Sequence, residues 1–132
     1  MKEDVSKVRT FAIISHGGAG KTSLAEAMLF NAGVTTRLGK VDEGTSVMDY
    51  EPEEVKRNIT ISTAVNTFPW KKHQLTVIDT PGDFNFIAET KTSMQGADAV
   101  LVLVDAIDGV RVQTEKVWEF GRIRAGEDDF CQ

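Results

Sequence analysis

The sequence predicts an α/β fold: a three-layer sandwich in which a mainly parallel sheet carries helices on both faces. Three observations lead there. Strand-like apolar segments at 10–14, 60–68, 74–78 and 99–104 alternate with helical patterns at 21–32, 85–94 and 113–123, the order expected of a covered parallel sheet. The run Ala99-Val100-Leu101-Val102-Leu103-Val104 has no polar alternation, which predicts a central strand buried on both faces. The first apolar segment feeds a glycine-rich turn that opens directly into a helix.

That turn, Ser15-His16-Gly17-Gly18-Ala19-Gly20-Lys21-Thr22, carries the chemistry that is easiest to read. Small residues let the backbone wrap closely around an anion, so that successive N–H groups point at it. Lys21 is placed to reach the β- and γ-phosphates of a nucleotide, and the Thr22 hydroxyl to ligate Mg²⁺. Ser23 continues into the helix, whose free N–H groups and positive dipole end face the same charge. His16, Gly17, Gly18, Ala19, Gly20, Lys21, Thr22 and Ser23 are therefore the candidate phosphate-binding residues. Ser15 holds a place where the pattern usually has Gly. The chain falls in the P-loop NTPase class by this motif, against the plainer reading of a glycine-rich turn that happens to hold Gly-Lys-Thr.

The stretch 33–58 mixes glycine, proline and many charges with no persistent period. A loop of that length within a compact domain is usually functional. It ends at Arg57-Asn58-Ile59-Thr60-Ile61, where the chain re-enters a strand and Thr60 can offer a hydroxyl to Mg²⁺. Further on, Leu75-Thr76-Val77-Ile78-Asp79-Thr80-Pro81-Gly82 is a strand running into a carboxylate and a tight turn. Asp79 is placed to accept hydrogen bonds from water on Mg²⁺, and Gly82 to bring a backbone N–H near a γ-phosphate. The metal candidates are thus Thr22, Thr60 and Asp79.

Composition narrows the class. A length of 132 residues suits one domain, and 41% apolar with 27% charged residues is ordinary for a soluble globular chain. A net charge of −5 argues against broad or sequence-specific nucleic-acid binding. Cys131 has no partner for an internal disulfide, which suits a reducing cytoplasm. The longest apolar run, 97–107, is broken by Asp98 and Asp105 and is too short to span a membrane. The polar start resembles no signal peptide.

Taken together, the phosphate loop 15–22, Arg57-Asn58-Ile59-Thr60-Ile61 and Asp79-Thr80-Pro81-Gly82-Asp83-Phe84 resemble the GTP-binding domain of elongation factor G and related translational GTPases. The spacers Arg37-Leu38-Gly39-Lys40-Val41-Asp42-Glu43-Gly44 and Met48-Asp49-Tyr50 look like that family's switch one, and 96–106 looks like its fourth strand. The resemblance implies a partial GTPase domain over 1–120, with switch one at about 36–62 and switch two at about 79–94. Residues 121–132 form a tail unlike the family. It implies GTP or GDP with Mg²⁺ as ligands. It also implies GTP hydrolysis to GDP and phosphate, coupled to ribosomal translocation or a related step of protein biosynthesis, in a parent protein that meets the ribosome.

Three positions depart from the family. Asp83 stands where translational GTPases usually carry the histidine that positions the attacking water, so Asp83 and Gly82 are the candidate catalytic positions and hydrolysis by this chain is expected to be weak or absent. Gly18 replaces a common aspartate, and Asn58 a common glycine. The family's Asn-Lys-x-Asp guanine-reading motif does not occur in the 132 residues, so the domain is expected to be truncated at its C-terminal side. A sheet edge left unpaired there invites self-association, for which the 99–104 strand is the candidate. A switch module with little hydrolysis, a P-loop ATPase and a remnant that binds no nucleotide are the competing readings.

Overall fold

A computed structural model describes residues 4–57 and 59–125. Four strands, β1 (Val8–Ile14), β2 (Ala64–Trp70), β3 (His73–Asp79) and β4 (Ala99–Val102), lie in one sheet in the order β2-β3-β1-β4. β1 runs parallel to both β3 and β4, and β2 pairs antiparallel with β3. The helices are α1 (Lys21–Asn31), α2 (Pro52–Arg57), α3 (Ile87–Met94) and α4 (Val112–Ala125). The expected mainly parallel α/β sandwich is therefore present, with one antiparallel edge strand.

Alternation along β1 builds both faces. Ile13 packs with Ala25 and Leu29 of α1 and with Val77, Phe68 and Met48 on one side. Ala12 and Ile14 pack with Ile78, Met94, Ala97 and Val117 under α3 and α4 on the other. Side chains that alternate between faces make each central strand serve two cores at once. In register, Ile13 faces Asp79, so the segments leaving β1 and β3 emerge side by side at the carboxyl ends of the parallel strands. That is where open α/β sheets bind ligands.

The structure departs from the sequence expectations in five places. β2 starts at Ala64 rather than at 60, because the amides of Ile61 and Ser62 are taken by the Glu54 carboxylate instead of a strand partner. β2 extends through Pro69, which an edge strand tolerates. The expected loop contains a short helix, α2. The expected central strand at 99–104 is an edge: among the described residues no strand pairs with the outer side of β4, and Leu101 is 39% exposed. α4 runs to Ala125, into the first residues of the expected tail; the remainder, with Cys131, and Asn58 lie outside the described residues.

Candidate functional site

The turn between β1 and α1 forms the floor of a cavity of about 320 Å³. Gly17, Gly18, Gly20, Lys21, Thr22 and Ser23 line it from the turn, Thr60 from the long loop, and Gly82 and Asp83 from the segment after β3. Gly18 (φ 80°) and Gly20 (φ 92°) adopt left-handed backbone that a Cβ would strain. Gly20 caps α1 with no side-chain bond to the helix amides, which leaves them open toward the cavity. Ser15 explains its own presence: it is buried, and its hydroxyl donates to the Leu103 carbonyl, joining the turn to the end of β4.

Asp79 does not line the cavity but lies fully buried beneath it. Thr22 donates to its carboxylate at 2.5 Å. Thr60 lies 2.8 Å from Thr22, hydroxyl to hydroxyl, and donates to Asp49 at 2.9 Å. The three candidate metal residues are thus brought together, and the fold adds a fourth, Asp49, that sequence reasoning passed over. It lies in Met48-Asp49-Tyr50, likened to switch one as a segment, but as a residue it reads as one more loop position until Met48 is seen buried in the core.

Proton counting makes this cluster unusual. Two hydroxyl protons serve three contacts, so with both carboxylates ionised the Thr22–Thr60 contact has none of its own. The buried Asp79 Oδ1 and Asp49 Oδ2 atoms have no hydrogen-bond partner. Burial pushes the Asp79 carboxyl up to about 7, against the Thr22 hydrogen bond and the Lys21 charge, which pull it down. Burial also raises Asp49, a shift that its bond from Thr60 reduces and the nearby Glu54 and Glu26 charges increase. Lys21 is lowered to about 8 by burial, which the Asp79 charge opposes; its ammonium donates to the His16 carbonyl at 2.8 Å.

These donors suit a hard cation. Among the described residues no three His, Cys, Asp or Glu side chains converge into a metal cluster, so a cation here would rest on hydroxyls and at most two carboxylates. All are oxygens, the donor set of Mg²⁺. The 2.8 Å between the threonine oxygens is close to the ~3.0 Å edge of an octahedron with bonds of about 2.1 Å.

Three expected residues differ from their expected place. The His16 ring turns away from the cavity: Nδ1 lies 3.0 Å from the Thr114 hydroxyl and Nε2 3.7 Å from an Asp108 oxygen, so only its backbone serves the turn. Ala19 is in the turn but not in the cavity wall. Asp83 accepts from Asn85 N and Asn85 Nδ2, each at 2.8 Å, and caps the short helical turn Phe84–Phe86. One oxygen of its carboxylate, Oδ1, thus serves as a cap, in a residue that lines the cavity. Val41, Asp42 and Ile59 also line the cavity; they lie in the segments likened to switch one but had not been named as site residues.

The elongation factor Tu GTP-binding domain model matches residues 6–124. The mitochondrial ribosome-releasing factor 2 of Debaryomyces hansenii is 47% identical over 113 residues, which is 86% of this chain and 13% of that protein. Elongation factor G 2 of Syntrophus aciditrophicus is 42% identical over 117 residues, 89% of this chain and 17% of that protein. Among solved structures, one from Thermus thermophilus superposes with a TM-score of 0.85 at 39% identity, covering 88% of this chain and 18% of that one. A bacterial selenocysteine-specific elongation factor superposes with a TM-score of 0.70 at 25% identity, covering 87% and 18%. The chain spans less than a fifth of the length of each of these relatives.

Proposed function

The chain belongs to the elongation factor Tu GTP-binding domain family, and from that premise we propose that it binds a guanine nucleotide with Mg²⁺ as part of an elongation factor G-like translational GTPase. The observation that carries this reading is the convergence of Thr22, Thr60, Asp49 and Asp79 beneath the open N-terminus of α1. In it, the amides of Gly17 to Lys21 and the Lys21 ammonium hold the phosphates. Thr22, Thr60 and Asp79, with Asp49 beside them, hold Mg²⁺, which supplies neutralisation of phosphate charge. Gly82 meets the terminal phosphate.

The relatives' names support translation on the ribosome as the work of the longer protein, with GTP hydrolysis as its activity. Both are proposals for this chain. No described helix is long and apolar enough to cross a membrane, and a cytoplasmic place is the setting that the lone cysteine favours. A second reading, a nucleotide switch with little hydrolysis, is favoured by one observation: the Asp83 carboxylate is held by Asn85.

Calorimetric titration with GTP, GDP and ATP, with and without Mg²⁺, tests the proposal. Micromolar or tighter binding of GTP that weakens when Mg²⁺ is removed is expected. Because the 132 residues hold no Asn-Lys-x-Asp motif, GTP is expected to exceed ATP only slightly. Absence of binding for all three would sink the reading.

A further inference from the structure

Two fully buried carboxylates, Glu26 on α1 and Glu54 on α2, do not line the cavity and are not among the residues read as holding the nucleotide or the cation. Each gathers backbone donors from the long loop. Glu26 Oε1 accepts from Ser46 Oγ at 2.7 Å, Val47 N at 2.6 Å and Met48 N at 3.0 Å. Glu54 Oε1 accepts from Ile61 N and Ser62 N, both at 2.8 Å, and its Oε2 accepts from Glu51 N at 2.9 Å. Burying an ionised carboxylate is expensive unless several donors meet it, and charge-assisted bonds are roughly twice as strong as neutral ones.

The pinned amides are not scattered. Val47 and Met48 immediately precede Asp49, and Ile61 and Ser62 immediately follow Thr60. Those are the two loop residues whose oxygens join the cluster at Thr22 and Asp79. Ser46 strengthens the first anchor, since its hydroxyl oxygen also accepts from Met48 N at 3.1 Å and Asp49 N at 3.3 Å. Gly39 makes room for it: a Cβ there would collide with the Glu26 carboxylate and lie 2.9 Å from the Thr45 carbonyl oxygen.

We propose that Glu26 and Glu54 are positioning residues of the nucleotide site, Glu26 placing Asp49 and Glu54 placing Thr60 for the cation that Thr22 and Asp79 share. Glu26 thereby ties the loop to α1, the helix that carries Lys21 and Thr22, so phosphate loop and switch one move as a unit. The inference rests on the cation reading of the cluster, and its test separates the two.

Glu26→Gln and Glu54→Gln keep the shape and one acceptor oxygen but remove the charge. In the 132-residue chain, amide hydrogen exchange by NMR is expected to quicken about tenfold or more at Val47 and Met48 in Glu26→Gln, with Ile61 and Ser62 unchanged. The reverse pattern is expected in Glu54→Gln. Each variant is also expected to lose about tenfold of the Mg²⁺-dependent gain in GTP affinity while Mg²⁺-free binding holds. A merely structural role would weaken both together. Unchanged exchange overturns the pinning, and changed exchange with an intact Mg²⁺ gain overturns the positioning role. If the parent chain shows no Mg²⁺ gain, the cation reading fails, and the site-by-site exchange pattern alone decides the pinning. Where a Gln variant gives no cooperative melt, Glu26→Asp or Glu54→Asp, which keeps the charge but draws it back by one methylene, takes its place in the same measurements.

Discussion

The Thr22 and Thr60 hydroxyl oxygens sit 2.8 Å apart across 38 residues of sequence. One belongs to the first turn of α1, the other to a loop that passes through a helix of its own before reaching it. Thr22→Ala is therefore expected to weaken GTP and GDP binding in Mg²⁺ alike, by about tenfold or more. Thr60→Ala is expected to weaken GTP by a similar factor and GDP little, because its hydroxyl is read as completing the cation shell only when a γ-phosphate is present. Fluorescent-nucleotide titrations of both variants check this, and equal losses for the two nucleotides in Thr60→Ala would count against it.

The buried Asp79 makes stability depend on pH. Its folded value, about 7, lies above the ordinary 3.8, so the folded chain keeps a proton that the unfolded chain releases. Its contribution is full below about pH 4 and is lost as pH rises to about 7. In a chelator, Asp79→Asn is expected to match the parent near pH 4 and to be more stable above pH 7, at roughly 1.4 kcal/mol per unit of pKa difference as an upper scale. Thermal melts across that range read the gap. A gap that stays flat with pH would remove the cause assigned to the shift.

Gly82 has no room for a side chain. A Cβ there would collide with the Lys21 ammonium and lie 2.6 Å from Gly17 N and 2.7 Å from Gly17 Cα. The lysine tip can swing aside, but the backbone of the phosphate turn cannot. Gly82→Ala is expected to destabilise the chain by about 1–3 kcal/mol and to reduce nucleotide affinity. Gly18→Ala meets no atom within 4 Å and strains only its φ of 80°, so about 1 kcal/mol is expected. Denaturant melts of the pair rank the two effects.

Asp83 is exposed and serves as a cap. Asp83→Ala is expected to lower stability by about 1 kcal/mol and to leave any measured GTP turnover unchanged. A large drop in turnover by single-turnover assay would restore Asp83 to the reacting groups.

Among the described residues the outer side of β4 has no partner strand, and Leu101 within it and Val104, Ile107, Val110 and Val112 after it in the chain are exposed. An unpaired edge with such neighbours is a template for strand addition. The chain is expected to self-associate at high concentration, and Leu101→Lys to reduce it. Chromatography with light scattering that finds a clean monomer throughout would end this expectation.

Much of the site was legible because it is written in short segments. Ser15 to Thr22 must be a small-residue turn between a strand and a helix, and each of those states is set by neighbours within a few residues. Asp79 at the end of an apolar strand is equally local. The 60–68 stretch misled for the same reason: Ile59-Thr60-Ile61 has the period of a strand, yet a distant carboxylate claims its amides. The Ala99–Val102 strand misled too, since an unbroken apolar run announces burial without saying which neighbours are there to supply it.

Local period and residue chemistry were enough to set the order of the four strands and the three longer helices, the glycine-rich turn and the identity of its charged and hydroxyl groups. Packing had to settle the rest: that Asp49 joins Thr60, Thr22 and Asp79, that His16 turns toward Thr114 instead of the cavity, and that Glu26 and Glu54 hold the long loop. The Thr22–Asp79 bond closes 57 residues of chain. Contacts of that reach depend on how two cores pack against the two faces of β1, and no local pattern carries that information.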